Sequence, residues 1–221
     1  MIKLLVTGFE PFATFSVNPT QTLALTADAP EGVHLTRLIL PVVAGECAAR
    51  LLRAIEDEQP TAVVSLGLAA GRKAVSLERI AVNCDDFQTP DNAGNLRRDA
   101  LIAPNGPPAL WTTLPIRRME AALQNERIPV EISYSAGTYV CNHLFYAVQY
   151  ELLRRGVPCR YGFVHLPPTP DMEAHGLPLT TQRRAVTRLL ETLRDTDESD
   201  VWPLPEVTQT RHLPTTPAWP P

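Results

Sequence analysis

No apolar run in these 221 residues reaches the roughly 20 needed to cross a bilayer. The N-terminal MIKLLVTGFE is too short and turns acidic too soon for a secretory leader. Cysteine is scarce: Cys47, Cys84, Cys141 and Cys159 stand far apart, with no C-x-x-C and no histidine at finger spacing. That argues against a structural zinc site and against a disulfide framework. Excess positive charge is also missing. A formal charge of −4 and a pI near 5.7 argue against binding nucleic acid or an anionic membrane by bulk electrostatics. The expectation is a cytoplasmic protein with free thiols and no membrane or nucleic-acid partner.

What remains is ordinary globular material, 44% hydrophobic and 20% charged. The length suits one sizeable α/β domain. Short apolar runs alternate with amphipathic stretches. IKLLVTG (2–8) reads as a buried strand, and Asn18 then caps a helix with Pro19 at its first position. Residues 33–41 are strand-like. Val43, Cys47, Leu51 and Ile55 mark one helical face, and 61–68 is another buried strand. Residues 74–83 predict a strand or hairpin arm, and DDFQTPDNAGN a loop. A helix near 111–125, a strand at 129–135, a helix over about 141–155, a strand at 161–167 and a helix near 180–195 follow. This alternation predicts an open, twisted, mostly parallel sheet with helices on both faces, a three-layer α/β/α domain over 1–198. Residues 199–221 hold six prolines and predict an extended arm.

Among chemical candidates, Cys141 sits where a helix begins. There the macrodipole and backbone N–H groups favour a thiolate and could hold an oxyanion, although a buried thiol at a core helix would look the same. His143 fails as its base, because residues two apart point about 200° apart around a helix. His165 fits better, at the C-terminal end of a strand expected to run parallel to the one before Cys141; a hydrogen-bonded strand-end histidine is the alternative. Glu78 is an acid within an apolar strand, so it either pairs with Arg79 or Arg72 or serves a site. Asp85 and Asp86 stand second, with a loop setting that predicts solvation. GLAAGR (67–72) follows a strand but lacks both G-x-G-x-x-G and Walker A spacing, so it reads as a tight turn. Phe9 and Phe12 belong either to the core or to the wall of an apolar pocket.

In order along about residues 1–195, VTGFEPF, NPT, GLAAGRKAVSLERIAVN, DNAGN, TLPIR, SYSAGTYVCNH and GFVHLPPTPD resemble the pyroglutamyl-peptidase I (pyrrolidone-carboxylate peptidase) family of cysteine peptidases. The resemblance implies a Cys141–His165–Glu78 triad that removes N-terminal 5-oxoproline from peptides, with no metal and no cofactor. It implies ring-binding contacts from Phe9, Phe12, Tyr139 and Val140, a first loop shaped by Asn18, and a homo-oligomer, tetramer or dimer. Two positions depart from the family. Gln88 stands where many members carry an arginine near the oxyanion, and Leu68 where many carry glutamine. Gln88 can donate a hydrogen bond but brings no positive charge, which Arg72 could supply instead. The readings left beside this one are a catalytically weakened relative that binds pyroglutamyl peptides and a nucleotide- or phosphate-binding α/β module.

Overall fold

The computed structural model describes residues 1–12 and 16–197; the proline-rich arm expected at 199–221 lies outside them. The chain runs β1 (Ile2–Phe9), α1 (Pro19–Leu25), β2 (Val33–Leu40), α2 (Glu46–Glu58), β3 (Ala62–Leu68), β4 (Val75–Glu78) and β5 (Ile80–Val82). It continues through β6 (Ala109–Trp111), α3 (Ile116–Asn125), β7 (Val130–Ser133), α4 (Val140–Arg155), β8 (Arg160–Leu166) and α5 (Leu179–Arg194). A six-stranded sheet has the order β2-β1-β3-β8-β4-β7, and β5 and β6 form a separate antiparallel pair.

Alternation along the strands sorts the residues into two cores. Leu4, Val6, Val64, Leu66, Val75, Leu77 and Val164 face α1, α3 and α5. Leu5, Phe9, Val63, Tyr161 and Phe163 face α2 and α4. The same period places Gly67, Glu78 and His165 on the α2/α4 side. The three-layer α/β/α architecture is therefore observed, and most predicted elements lie within a residue or two of their expected bounds, although Val43, expected on the face of the second helix, precedes the start of α2 at Glu46.

Three local expectations change. First, β8 pairs in parallel with β3 but antiparallel with β4, and β4 is parallel to β7. The strand before Cys141 thus runs opposite to the strand carrying His165. The connection 134–139 turns the chain onto the α4 face instead, with Gly137 at φ 77°, a conformation costly for any residue with a Cβ. Second, the strand expected over 74–83 breaks at Arg79, whose side chain lies over the Trp111 ring. Third, the helix expected from 111 begins only at Ile116. Ala109–Trp111 pair with β5, and Pro115 restricts the residue before it to extended backbone.

Candidate active site

The helix α1 starts as its sequence predicts. Asn18 Oδ1 accepts the Thr20 N–H at 3.1 Å, and Pro19 occupies the first turn. Asn18 Nδ2 also donates to Glu10 O at 3.1 Å, tying the helix start to the loop that carries Phe12. Phe9 and Phe12 line a cavity of about 300 Å³ near the C-terminal ends of β1, β3 and β8. Asn18, Leu68, Arg72, Tyr139, Val140, Cys141 and His165 share its lining. Eight of the residues singled out in the sequence therefore meet at one place, together with the nucleophile candidate. Val42, Ala69, Ala136 and Gly137 complete the wall and were not anticipated; small apolar residues in loops carry no sequence signal that separates lining from filler.

Glu78 and His165 come from antiparallel neighbours in diagonal register, Ser76 being the partner of His165. His165 Nδ1 lies 2.7 Å from Glu78 Oε1, and Arg72 Nη1 donates to the same oxygen at 2.7 Å. Arg72 Nη2 donates to Ser135 O at 2.9 Å, so the guanidinium bridges the buried carboxylate and the connection leading to α4. Glu78 is wholly buried. A carboxylate in that setting accepts from Nδ1–H, which leaves Nε2 of a neutral His165 free to accept a proton. The Phe163 ring packs against the imidazole with centroids 4.8 Å apart and restricts its rotation.

Cys141 follows Val140, the first residue of α4, whose initial helical bond runs from His143 N to Tyr139 O at 3.0 Å. The thiol does not have the low pKa that the helix start alone would give. Burial and the negative charge of Glu78 push it up to about 12, against the opposing pull of Arg72 and of its own N–H. Burial likewise lowers His165 below the ordinary imidazole value, while Glu78 acts to raise it. Both directions favour a neutral thiol and a neutral imidazole on the wall of one cavity, with the proton resting on sulfur. Space for that sulfur is made by Gly67, where an added Cβ would meet the Phe163 ring at 2.6 Å and Cys141 Sγ at 3.1 Å. A glycine flanked by apolar strand residues gives no hint of this in sequence.

Other expectations resolve differently. Gln88 is exposed and does not line the cavity, so the departure there leaves the cavity wall unchanged. Asp85 is wholly buried rather than solvated, bonded to His143 and Arg97. Asp86 is half-buried, 3.6 Å from Arg98. The GLAAGR turn gives its Gly71 N–H to the Glu173 carboxylate of the same chain and sends Arg72 to Glu78. Tyr139 is pinned by its hydroxyl to Pro90 O at 3.0 Å and by the Phe87 ring, centroids 4.9 Å apart. Among the described residues no cluster of three or more His, Cys, Asp or Glu could hold a metal ion, and no helix is long and apolar enough to cross a membrane.

A half-buried thiol at a helix start, sharing a small apolar cavity with a carboxylate-bound imidazole, belongs to the class of α/β cysteine-type hydrolases. The family model for pyroglutamyl peptidase matches residues 2–194, and the chain belongs to that family. The pyrrolidone-carboxylate peptidase of Vibrio campbellii is 43% identical over 178 residues, covering 80% of this chain and 83% of the relative. That of Bacillus subtilis is 39% identical over 202 residues, 89% of this chain and 94% of the relative. In structure, the pyroglutamyl peptidase I of Bacillus amyloliquefaciens superposes with a TM-score of 0.83 at 34% identity, over 89% of this chain and 98% of that one. The pyrrolidone carboxyl peptidase of Thermococcus litoralis gives 0.84 at 34% identity, over 88% and 94%.

Proposed function

We propose that this chain hydrolyses the N-terminal pyroglutamyl (5-oxoprolyl) residue from peptides, with Cys141 as nucleophile, His165 as general base and acid, and Glu78 as the group that orients the imidazole. The observation that carries the reading is the 2.7 Å contact between His165 Nδ1 and a wholly buried Glu78, in the cavity that Cys141 also lines. The substrate is a neutral five-membered lactam. The walls formed by Phe9, Phe12, Leu68, Tyr139 and Val140 offer it apolar contact and no carboxylate that would favour a free α-amine.

His165 Nε2 takes the thiol proton as sulfur attacks the pyroglutamyl carbonyl carbon. Because the thiol is pushed up and the imidazole down, the resting pair is neutral, and the thiol proton passes to Nε2 on the way to the thioester. Glu78 stabilises the imidazolium that forms, and Arg72, donating to Glu78 Oε1 at 2.7 Å, holds the carboxyl group in place. Backbone N–H groups at the start of α4 receive the oxyanion. The imidazolium then protonates the leaving amine. Water, deprotonated by the same imidazole, attacks the thioester, sulfur leaves as thiolate, and the returned proton restores the thiol.

The same reading makes the enzyme a cytoplasmic homo-oligomer, tetramer or dimer, with one peptidase domain over 1–198. The free state of all four cysteines supports a reducing compartment. Sedimentation velocity tests the assembly. Truncation after residue 198 tests the domain boundary and is expected to leave kcat unchanged. The deciding experiment is hydrolysis of a pyroglutamyl-coumarin amide by the wild-type chain and by Cys141→Ser, with iodoacetamide as a second block. Turnover by the wild type alone, lost on alkylation, is expected. Near-normal turnover by Cys141→Ser would end the proposal.

A further inference from the structure

Cys141 is followed by Asn142 and His143, two polar residues that the reaction above does not use and that are nonetheless buried. Neither lines the cavity. Asn142 Oδ1 accepts the Val82 N–H at 2.9 Å, and its Nδ2 donates to Val82 O and Cys84 O at 2.9 and 3.0 Å. That amide is fully committed to the backbone of 82–84. His143 Nε2 accepts the Gly45 N–H at 2.9 Å and so carries no proton, which leaves Nδ1–H to donate to Asp85 Oδ2 at 2.8 Å. Arg97 Nη1 donates to that same oxygen at 2.7 Å. On the other side of the thiol, Thr138 Oγ1 donates to Asp86 O at 2.9 Å and Asp86 N donates to Thr138 O at 3.1 Å. Segment 82–86 is therefore stitched to the chain on both sides of Cys141.

Apolar residues would pack this face at least as stably, since buried polar networks add little net stability over well-fitted hydrophobic ones. What directional bonds add is a single rotation and register of the helix start. We propose that Asn142 and His143 are positioning residues: they lock the first turn of α4 to residues 82–86 and to Gly45, and so fix where the Cys141 sulfur stands relative to His165. The inference rests on the peptidase reading above. The larger effect is on the chemical step, because the pocket walls Phe9, Phe12 and Leu68 belong to other elements and only Tyr139 and Val140 share the helix start.

The test compares His143→Asn, which keeps a donor for Asp85 and loses the acceptor for Gly45, with His143→Gln, which does the reverse, and with Asn142→Leu. Each is assayed well below its own melting temperature. Expected is a kcat on pyroglutamyl-coumarin lowered at least about tenfold, with KM within about twofold, since misplacement by about 1 Å can cost on the order of 10²-fold. Peptide-mapped alkylation of Cys141 by iodoacetamide should slow alongside. Folded His143 variants with wild-type kcat and alkylation rate, or a loss confined to melting temperature, would overturn the inference. If Asn142→Leu does not fold, the two His143 variants decide alone. A wild type without turnover would count against the peptidase reading instead, and the alkylation rates would still decide the positioning role.

Discussion

Replacing Glu78 with glutamine tests the link on which the proposed chemistry depends. In the folded chain one carboxylate oxygen accepts from both His165 and Arg72, each at 2.7 Å, while Oε2 is buried without a hydrogen-bond partner among the described residues. If the glutamine carbonyl takes the place of Oε1, its NH₂ falls where Oε2 now lies and has no acceptor. If the amide flips, it presents donors to two donors and His165 turns to the wrong tautomer. Either way the negative charge beside the imidazolium is gone. At an effective dielectric of about 20, charges about 4 Å apart attract by about 4 kcal/mol, and Arg72 would now repel the imidazolium unopposed. Losing 3–4 kcal/mol from the transition state corresponds to a fall in kcat of about 10²–10³. Arg72 still donates to Ser135 O and its side chain is 24% exposed, so the cost to the fold stays near 1–3 kcal/mol, a drop of a few degrees to about 10 °C in melting temperature. The assay is kcat and KM on pyroglutamyl-coumarin across pH at 25 °C, with melting curves alongside. Because Glu78 acts to raise the His165 pKa, its removal should also shift the acid limb of kcat/KM to lower pH. A variant within threefold of wild-type kcat, with an unmoved acid limb, would refute the role given to the carboxylate.

Three further outcomes are expected. Since burial holds His165 below the ordinary imidazole value, it is in its basic, neutral form at neutral pH. The acid limb of kcat/KM should therefore fall below about 6.5, and an acid limb above 7 would contradict the geometry. Cys141 and Cys159 are each pushed up to about 12 from 9.0, so the folded state holds protons that the unfolded state has released. Stability is then fully present below pH 9 and lost as pH rises toward 12; urea titrations at pH 8 and 10.5 should show that decline, and it should shrink in Cys141→Ala. Gly67→Ala places a methyl group against the Phe163 ring and Cys141 Sγ. It should cost about 1–3 kcal/mol of stability and at least tenfold in kcat, and unaltered kinetics would show that the sulfur is not confined there.

The sequence by itself determined the layered architecture, because apolar strand runs and four-residue helical spacing follow from how side chains alternate on each element. It also determined Asn18 as a helix cap, a thiol at a helix start, and an acid and a histidine on apolar strands, each anomalous against its neighbours. The tertiary structure decided the rest. The direction of β8 against β4 and β7 depends on pairings between segments far apart in the chain, which no local pattern encodes. Asp85 looked like a loop acid until folding buried it between His143 and Arg97. Likewise the helix start alone argued for a thiolate, and only the burial of Cys141 and the approach of Glu78 reverse that balance. Charge state and partner choice depend on what surrounds a group in three dimensions, and that environment is assembled from every layer of the fold.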